Sequence, residues 1–183
     1  MTLDKISDHI LTINGFLSRT ECEDYIERSE TMGYEAATVE TEKGAAVMET
    51  VRNNDRIIYT DAALAKNFWQ RLQPFAPAQI GNSYAVGLNE MFRFYKYQTG
   101  QKFKRHADQS FIRNEDEASY YTFMIYLNED FEGGETTFKN AVMVPRQGTA
   151  LVFLHNLEHE GSEVKQGVKY VLRSDIMYRI VLQ

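Results

Sequence analysis

Apolar and polar side chains alternate with a period of two through the middle and end of the chain, while a period near 3.6 is confined to its first third. Met91, Arg93, Tyr95 and Tyr97 alternate with Phe92, Phe94 and Lys96, which predicts a strand, and Gly100 punctuates it. Tyr120–Leu127 predicts another. Glu132-Gly133-Gly134-Glu135 turns the chain into Thr136-Thr137-Phe138, Pro145-Arg146-Gln147-Gly148 turns it into a strand over residues 149–153, and a last strand is predicted over Val168–Leu182. Upstream, Ile10–Ile13 reads as a strand closed by Asn14-Gly15, and Ile57-Ile58-Tyr59 as a short one. Between them Ser18 and Glu21 form a capping box for a helix in which Cys22, Tyr25, Ile26 and Ser29 recur at helical spacing, with Gly33 at its end. Cys22 then faces the core as a small buried hydrophobe, with no basic neighbour to make it a thiolate. Asp61 caps a second helix whose Leu64, Phe68 and Leu72 share a face, and Pro74 and Pro77 end it.

Two stretches lack a period. Residues 42–46 read as an exposed loop, and Arg52-Asn53-Asn54-Asp55-Arg56 reads either as a solvated connection or as a rim that meets substrate. The loops at 42–56 and 113–118 are expected to shape the entrance to a site. Strands at short, regular spacing with two early helices predict an α+β, mainly β domain, a jelly roll with one sheet buttressed by the N-terminal helices. We expect a single domain, with helical support over about 1–80 and the jelly-roll core over about 84–183.

Composition narrows the function. The 183 residues carry 20 Lys+Arg against 26 Asp+Glu, a balance with no footprint for a phosphate backbone, so no nucleic-acid partner is expected. One cysteine forms no internal disulfide, the polar start after Met1 is unlike a secretory leader, and no apolar run nears the ~20 residues of a membrane span. A cytoplasmic protein with no membrane partner is expected. Its oligomeric state is open.

The stretch Tyr97-Gln-Thr-Gly-Gln-Lys-Phe-Lys-Arg-His106-Ala-Asp108 carries the candidate chemistry. On an extended strand His106 and Asp108 project from one face and can grip one cation together. Two histidines and one carboxylate on one face of an octahedral metal leave three open positions, the arrangement of non-haem Fe(II) oxygenases. Of the remaining histidines, His9 lies in a polar segment, and His155 and His159 compete for the third place. Downstream of His159, Gly167 and then Lys169 open the last strand, where a lysine can reach an anionic ligand at the metal. That favours His159, and leaves His155 to bond a loop carbonyl or pack against an aromatic ring.

With these parts in order, the chain resembles the iron(II)- and 2-oxoglutarate-dependent dioxygenases of the prolyl 4-hydroxylase type. The resemblance rests on Tyr97-x-x-Gly100 through His106-x-Asp108, on Tyr126-Leu127-Asn128 followed by Glu132-Gly133-Gly134-Glu135-Thr136, and on His159-x-Gly161 through Val164, Gly167 and Lys169. It covers about residues 84–180 and extends weakly to the helices. It implies a double-stranded β-helix, Fe(II) held by His106, Asp108 and His159, and 2-oxoglutarate and O2 as co-substrates; it also admits ascorbate. Tyr97 and Tyr126 would lie beside 2-oxoglutarate. Lys169, by its interval from His159, would anchor the far carboxylate, with Arg173 as the alternative anchor or a partner for an acidic neighbour. The implied reaction hydroxylates a C–H bond and releases succinate and CO2, on a protein or peptide, with peptidyl proline foremost, or on a free amino acid or other small molecule. Two further readings stand beside it: base demethylation on the same scaffold, which wants a basic groove, and a jelly roll that binds a metal without turnover.

Overall fold

The computed structural model describes residues 1–37, 39–41, 44–46 and 53–181. Its first third runs β1 (Thr2–Ser7), β2 (Ile10–Asn14), α1 (Arg19–Met32), β3 (Glu35–Ala36), β4 (Val39–Thr41), β5 (Gly44–Ala46), β6 (Asp55–Thr60) and α2 (Ala62–Leu72). The middle consists of β7 (Gln79–Ile80), β8 (Ser83–Leu88), β9 (Met91–Gln98), β10 (Phe103–His106) and β11 (Glu117–Tyr126). Seven strands finish the chain: β12 (Glu132–Gly133), β13 (Thr136–Phe138), β14 (Val142–Met143), β15 (Ala150–Leu154), β16 (His159–Gly161), β17 (Val164–Gln166) and β18 (Val168–Ile180). The large antiparallel sheet follows the order β1-β2-β15-β11-β18-β9-β6-β3, with β8 also on β18, and a smaller sheet runs β10-β16-β13-β14. This is the mainly β jelly roll that the alternation predicts.

Period two sorts the large sheet into two working faces. Phe92, Phe94, Phe123, Ile125, Ala150, Val152 and Leu172 point one way and pack with Cys22, Leu64, Phe68 and Leu72 of the helices. The alternate positions Tyr95, Tyr97, Met124, Tyr126, Leu151, Phe153 and Val171 point the other way, into a second cluster with Phe138 and Val164. The helices therefore wall off one face and leave the other for chemistry. Phe68 fixes the helical side, its ring meeting Phe16, Tyr25, Phe92 and Phe123 edge to face.

Both helices start where their caps place them. Ser18 Oγ accepts the N–H of Glu21 at 3.2 Å and Glu21 Oε2 accepts the N–H of Ser18 at 2.7 Å, so the capping box is complete. Gly33, at φ 83°, ends α1 by donating to Ser29 O. Asp61 Oδ1 accepts the N–H of Leu64 at 2.9 Å and starts α2. Cys22 is fully buried, and burial pushes its thiol up to about 12, as suits an inert core residue.

Four expectations change. The N-terminal third is more than helical support, since β1, β2, β3 and β6 all join the large sheet. Part of the loop read at 42–46 is a hairpin, β4 on β5, with residues 42 and 43 outside the described residues. In the charged interruption, Arg52 lies outside the described residues, but Asn54 is buried and Asn53 Oδ1 accepts the N–H of Lys102 at 2.8 Å. That segment is tied to the candidate-site stretch and is no solvated connection. The last strand ends at Ile180, and residue 182 is not described. No helix among the described residues is long and apolar enough to cross a membrane.

Candidate metal centre

The smaller sheet brings the two histidines together. His106 closes β10, His159 opens β16, and the two are direct partners across that antiparallel pair, so their side chains share a face with ring centroids 4.3 Å apart. Asp108 lies beyond β10. The i, i+2 geometry of one strand therefore does not explain its position; the chain leaves the strand after His106, and the N–H of Asp108 donates to His155 O at 2.9 Å. His106 Nε2 then stands 3.6 Å from Asp108 Oδ1, and His159 Nε2 3.8 Å from Asp108 Oδ2. Those gaps are too long for hydrogen bonds, yet one donor atom from each residue lies within 4.8 Å of the others.

The hydrogen bonds behind the rings orient them. Nδ1 of His106 is 2.7 Å from Lys104 O, and Nδ1 of His159 is 2.9 Å from Leu157 O, which places the ring proton on Nδ1 and leaves the Nε2 lone pairs facing Asp108. Burial holds His159 down to about 4, against the pull of the Asp108 charge, so its imidazole is neutral at pH 7. His106 Nε2 is buried without a hydrogen-bond partner. A buried ring nitrogen left unpaired costs free energy unless something else takes its lone pair, and two imidazoles beside one carboxylate are the donor set of a non-haem Fe(II) site. Burial alone would raise the Asp108 carboxyl, but Arg173, His106, His159 and Thr122 outweigh it and hold it well below its ordinary value, so the third donor is anionic.

These groups line an open cavity, which Tyr97, Phe103, Thr136, Lys169 and Arg173 also border. The odd positions of β18 supply its two cations. Lys169, 3% exposed, donates to Gly134 O at 2.6 Å and lies over the rings of Tyr97 and Tyr126 at 5.2 and 5.5 Å. Among the described residues no carboxylate forms an ion pair with it, and burial lowers it to about 8 although Glu135 pulls the other way. Arg173 is arranged otherwise, with Nη1 on Asp108 Oδ1 at 3.0 Å and Nη2 on Asp175 Oδ1 at 3.3 Å. Its charge is committed on the metal side of the cavity, whereas that of Lys169 is available.

Residues 92–174 match the family described as the 2OG-Fe(II) oxygenase superfamily. Residues 92–174 carry a 2OG-Fe(II) oxygenase domain. Such a domain works with Fe(II), 2-oxoglutarate and O2, and makes this protein a 2-oxoglutarate-dependent dioxygenase. Solved structures share the fold. A viral collagen prolyl hydroxylase from Paramecium bursaria Chlorella virus-1, in its 2OG complex, is 20% identical, with a TM-score of 0.66 over 95% of this chain and 98% of that one. A Trichoplax adhaerens prolyl hydroxylase in complex with a hypoxia-inducible-factor peptide fragment is 17% identical, with a TM-score of 0.70 over 95% of this chain and 84% of the other. A Pseudomonas putida prolyl-4-hydroxylase gives 17% and 0.63, over 94% and 93%. No curated protein matches the sequence.

Within the oxygenase domain the other candidates separate. Tyr97 borders the cavity, whereas Tyr126 does not; it is 1% exposed and donates to Thr136 Oγ1 at 2.7 Å, so it touches the site through Thr136 and Lys169. His155 Nδ1 pairs with Gln109 O at 3.0 Å, the loop-carbonyl role expected of it. His155→Ala is expected to cost about 1–3 kcal/mol of stability through the lost bond and the space left, with divalent-metal affinity retained, and calorimetry of folding and of Mn(II) binding checks both. Sequence reading missed Thr122, whose hydroxyl donates to Asp108 Oδ2 at 2.5 Å; a threonine in an apolar strand carries no local sign of its partner. It also missed the closeness of Gly134. At φ 68°, a Cβ there would stand 3.0 Å from Phe131 Cε2 and 3.1 Å from Lys169 Cδ. Gly134→Ala should therefore displace Lys169 and raise the KM for 2-oxoglutarate several-fold while changing Mn(II) affinity little.

Proposed function

We propose that His106, Asp108 and His159 hold Fe(II), that Lys169 anchors the far carboxylate of 2-oxoglutarate, and that the protein hydroxylates a prolyl residue of a protein or peptide. One observation carries the reading: three convergent donors and a buried ammonium with no carboxylate partner among the described residues border one cavity. A small dicarboxylate meets both needs at once. One end would bind the metal that His106, Asp108 and His159 hold, and the other would supply the negative charge that Lys169 lacks.

Bound there, Fe(II) supplies the oxidative decarboxylation of 2-oxoglutarate to succinate and CO2, coupled to insertion of one oxygen atom of O2 into a C–H bond. The chain's own residues bind, orient and exclude water. Lys104 O and Leu157 O fix the histidine tautomers, Thr122 and Arg173 fix Asp108, and Tyr97 and Tyr126 flank the Lys169 ammonium with ring faces that favour a cation. Phe103, stacked on His106 with centroids 3.6 Å apart, and Phe153, 4.5 Å from His159, keep water from the outer sides of the ligands.

The peptidyl substrate is supported by the fold shared with prolyl hydroxylases, one of them solved with a peptide fragment. The test supplies purified protein with Fe(II), 2-oxoglutarate and air, offers proline-containing peptides, free amino acids and no acceptor, and measures succinate together with acceptor mass. Peptide-stimulated succinate with a hydroxylated proline supports the proposal. Stimulation only by a free amino acid moves the substrate class, and no succinate under any condition sinks the catalytic reading.

A further inference from the structure

The cavity-facing side of β18 opposes like charges. Arg173 is the direct partner of Arg93 across the β18–β9 ladder, an arrangement that is unfavourable by itself. Asp175 offsets it, taking Arg93 Nη1 on Oδ2 at 3.2 Å and Arg173 Nη2 on Oδ1 at 3.3 Å. Asp175 is 2% exposed, and its Cα partner on β11 is Thr122. Thr122 and Arg173 are in turn the two side chains that hold Asp108, one at each carboxylate oxygen. Arg173 Nη2 also lies 3.3 Å from Thr122 Oγ1, closing a ring of contacts through Arg173, Thr122 and Asp108, with Asp175 joined to it at Arg173.

A carboxylate on a loop residue can rotate about its terminal bond at little cost. Asp108 is held by no strand ladder, so its donor direction depends on these side-chain contacts. We infer that Arg173, itself fixed by Asp175, is a positioning residue that orients the Asp108 carboxylate toward the two histidines, and that it is no anchor for the co-substrate. The inference rests on the metal-centre reading above. A guanidinium suits the task because its planar fork reaches two acceptors in fixed directions, which an ammonium does not.

The test is Mn(II) binding to metal-free protein, without co-substrate, by titration calorimetry and by electron paramagnetic resonance of the free ion, on wild type, Arg173→Gln, Arg173→Lys and Asp175→Asn. Circular dichroism establishes that each variant is folded. Outer partners of metal ligands typically matter by about 10–100-fold in affinity, and Arg173→Gln should weaken Mn(II) by that much. Asp175→Asn, which leaves Arg173 in place with a weaker hold, should lose less, and Arg173→Lys should recover part of the Gln loss while the 2-oxoglutarate requirement of turnover stays near wild type. Folded Arg173→Gln or Arg173→Lys that binds Mn(II) as tightly as wild type overturns the inference, as does a sharp rise in the 2-oxoglutarate requirement of Arg173→Lys with metal affinity intact. If Arg173→Gln does not fold, Arg173→Lys and Asp175→Asn decide by the same criteria. His159→Ala in the same titration separates the two levels: loss there with Arg173 variants unchanged overturns this inference alone, and wild-type affinity there overturns the metal centre with it.

Discussion

His159→Ala should give a folded protein whose divalent-metal affinity falls by well over 100-fold and whose 2-oxoglutarate turnover is lost. The size follows from which contact is removed: changing a partner behind a ligand typically costs about 10–100-fold, and His159 would be a ligand itself. The fold survives because the ring packs with Phe138, Phe153 and His106 at the site end and takes no part in the cluster between the large sheet and the helices. A loss of about 1–3 kcal/mol is the scale for such a truncation. Removing Asp108 would be a poorer test, since it takes away one of the two carboxylates that pair with the buried Arg173 guanidinium beside Arg93 and destabilises the protein for a reason unrelated to metal. The measurement is Mn(II) titration of metal-free protein beside a thermal melt. Wild-type affinity in folded His159→Ala, or loss of metal in His155→Ala instead, would remove His159 from the site.

Elements with a buried face wrote themselves into the chain. The alternation over residues 91–97 is legible because both faces of β9 pack, against the helices on one side and the cavity on the other. Capped helices were equally legible, since their signals are local. The strands that escaped notice have no such contrast: β1 is exposed along its whole length at the sheet edge, and β8 alternates only weakly. Within the candidate site, proximity in sequence drew attention to His106 and Asp108, and the glycine and lysine that follow His159 drew attention to it. What the chain could not display was register. His106 opposite His159, Arg173 opposite Arg93 and Thr122 opposite Asp175 are pairings between distant segments, and they decide that Lys169 keeps a free charge while Arg173 does not.

Lys169→Met should make the metal-free, co-substrate-free protein more stable and its 2-oxoglutarate binding far weaker, two changes of opposite sign from one substitution. Burial holds Lys169 at about 8, below the ordinary value of 10.5 that the unfolded chain would show. Between those two values the unfolded state binds more protons than the folded one, so stability rises with pH across that window. Below about 8 the ammonium is charged in both states and the whole burial penalty is present, roughly 3 kcal/mol, offset in part by the bond to Gly134 O. Methionine fills similar space without charge, so at pH 7 the variant should melt several degrees higher, and its stability should lose the rise with pH above about 8. Removing one partner of a buried charge pair costs about 2–5 kcal/mol in binding, which is about 30-fold to several thousand-fold in the 2-oxoglutarate requirement. Wild-type affinity for the co-substrate should itself decline above about pH 8, as the folded protein's ammonium loses its proton before the anion arrives. Mn(II) affinity should stay near wild type, because the Lys169 ammonium bonds Gly134 O and lies over the rings of Tyr97 and Tyr126 rather than against the three donor side chains. Thermal melts with and without 2-oxoglutarate, at pH 7 and pH 9, check stability and co-substrate binding, Mn(II) titration checks the metal, and a Lys169→Met protein still stabilised by 2-oxoglutarate as wild type is would move the anchor elsewhere.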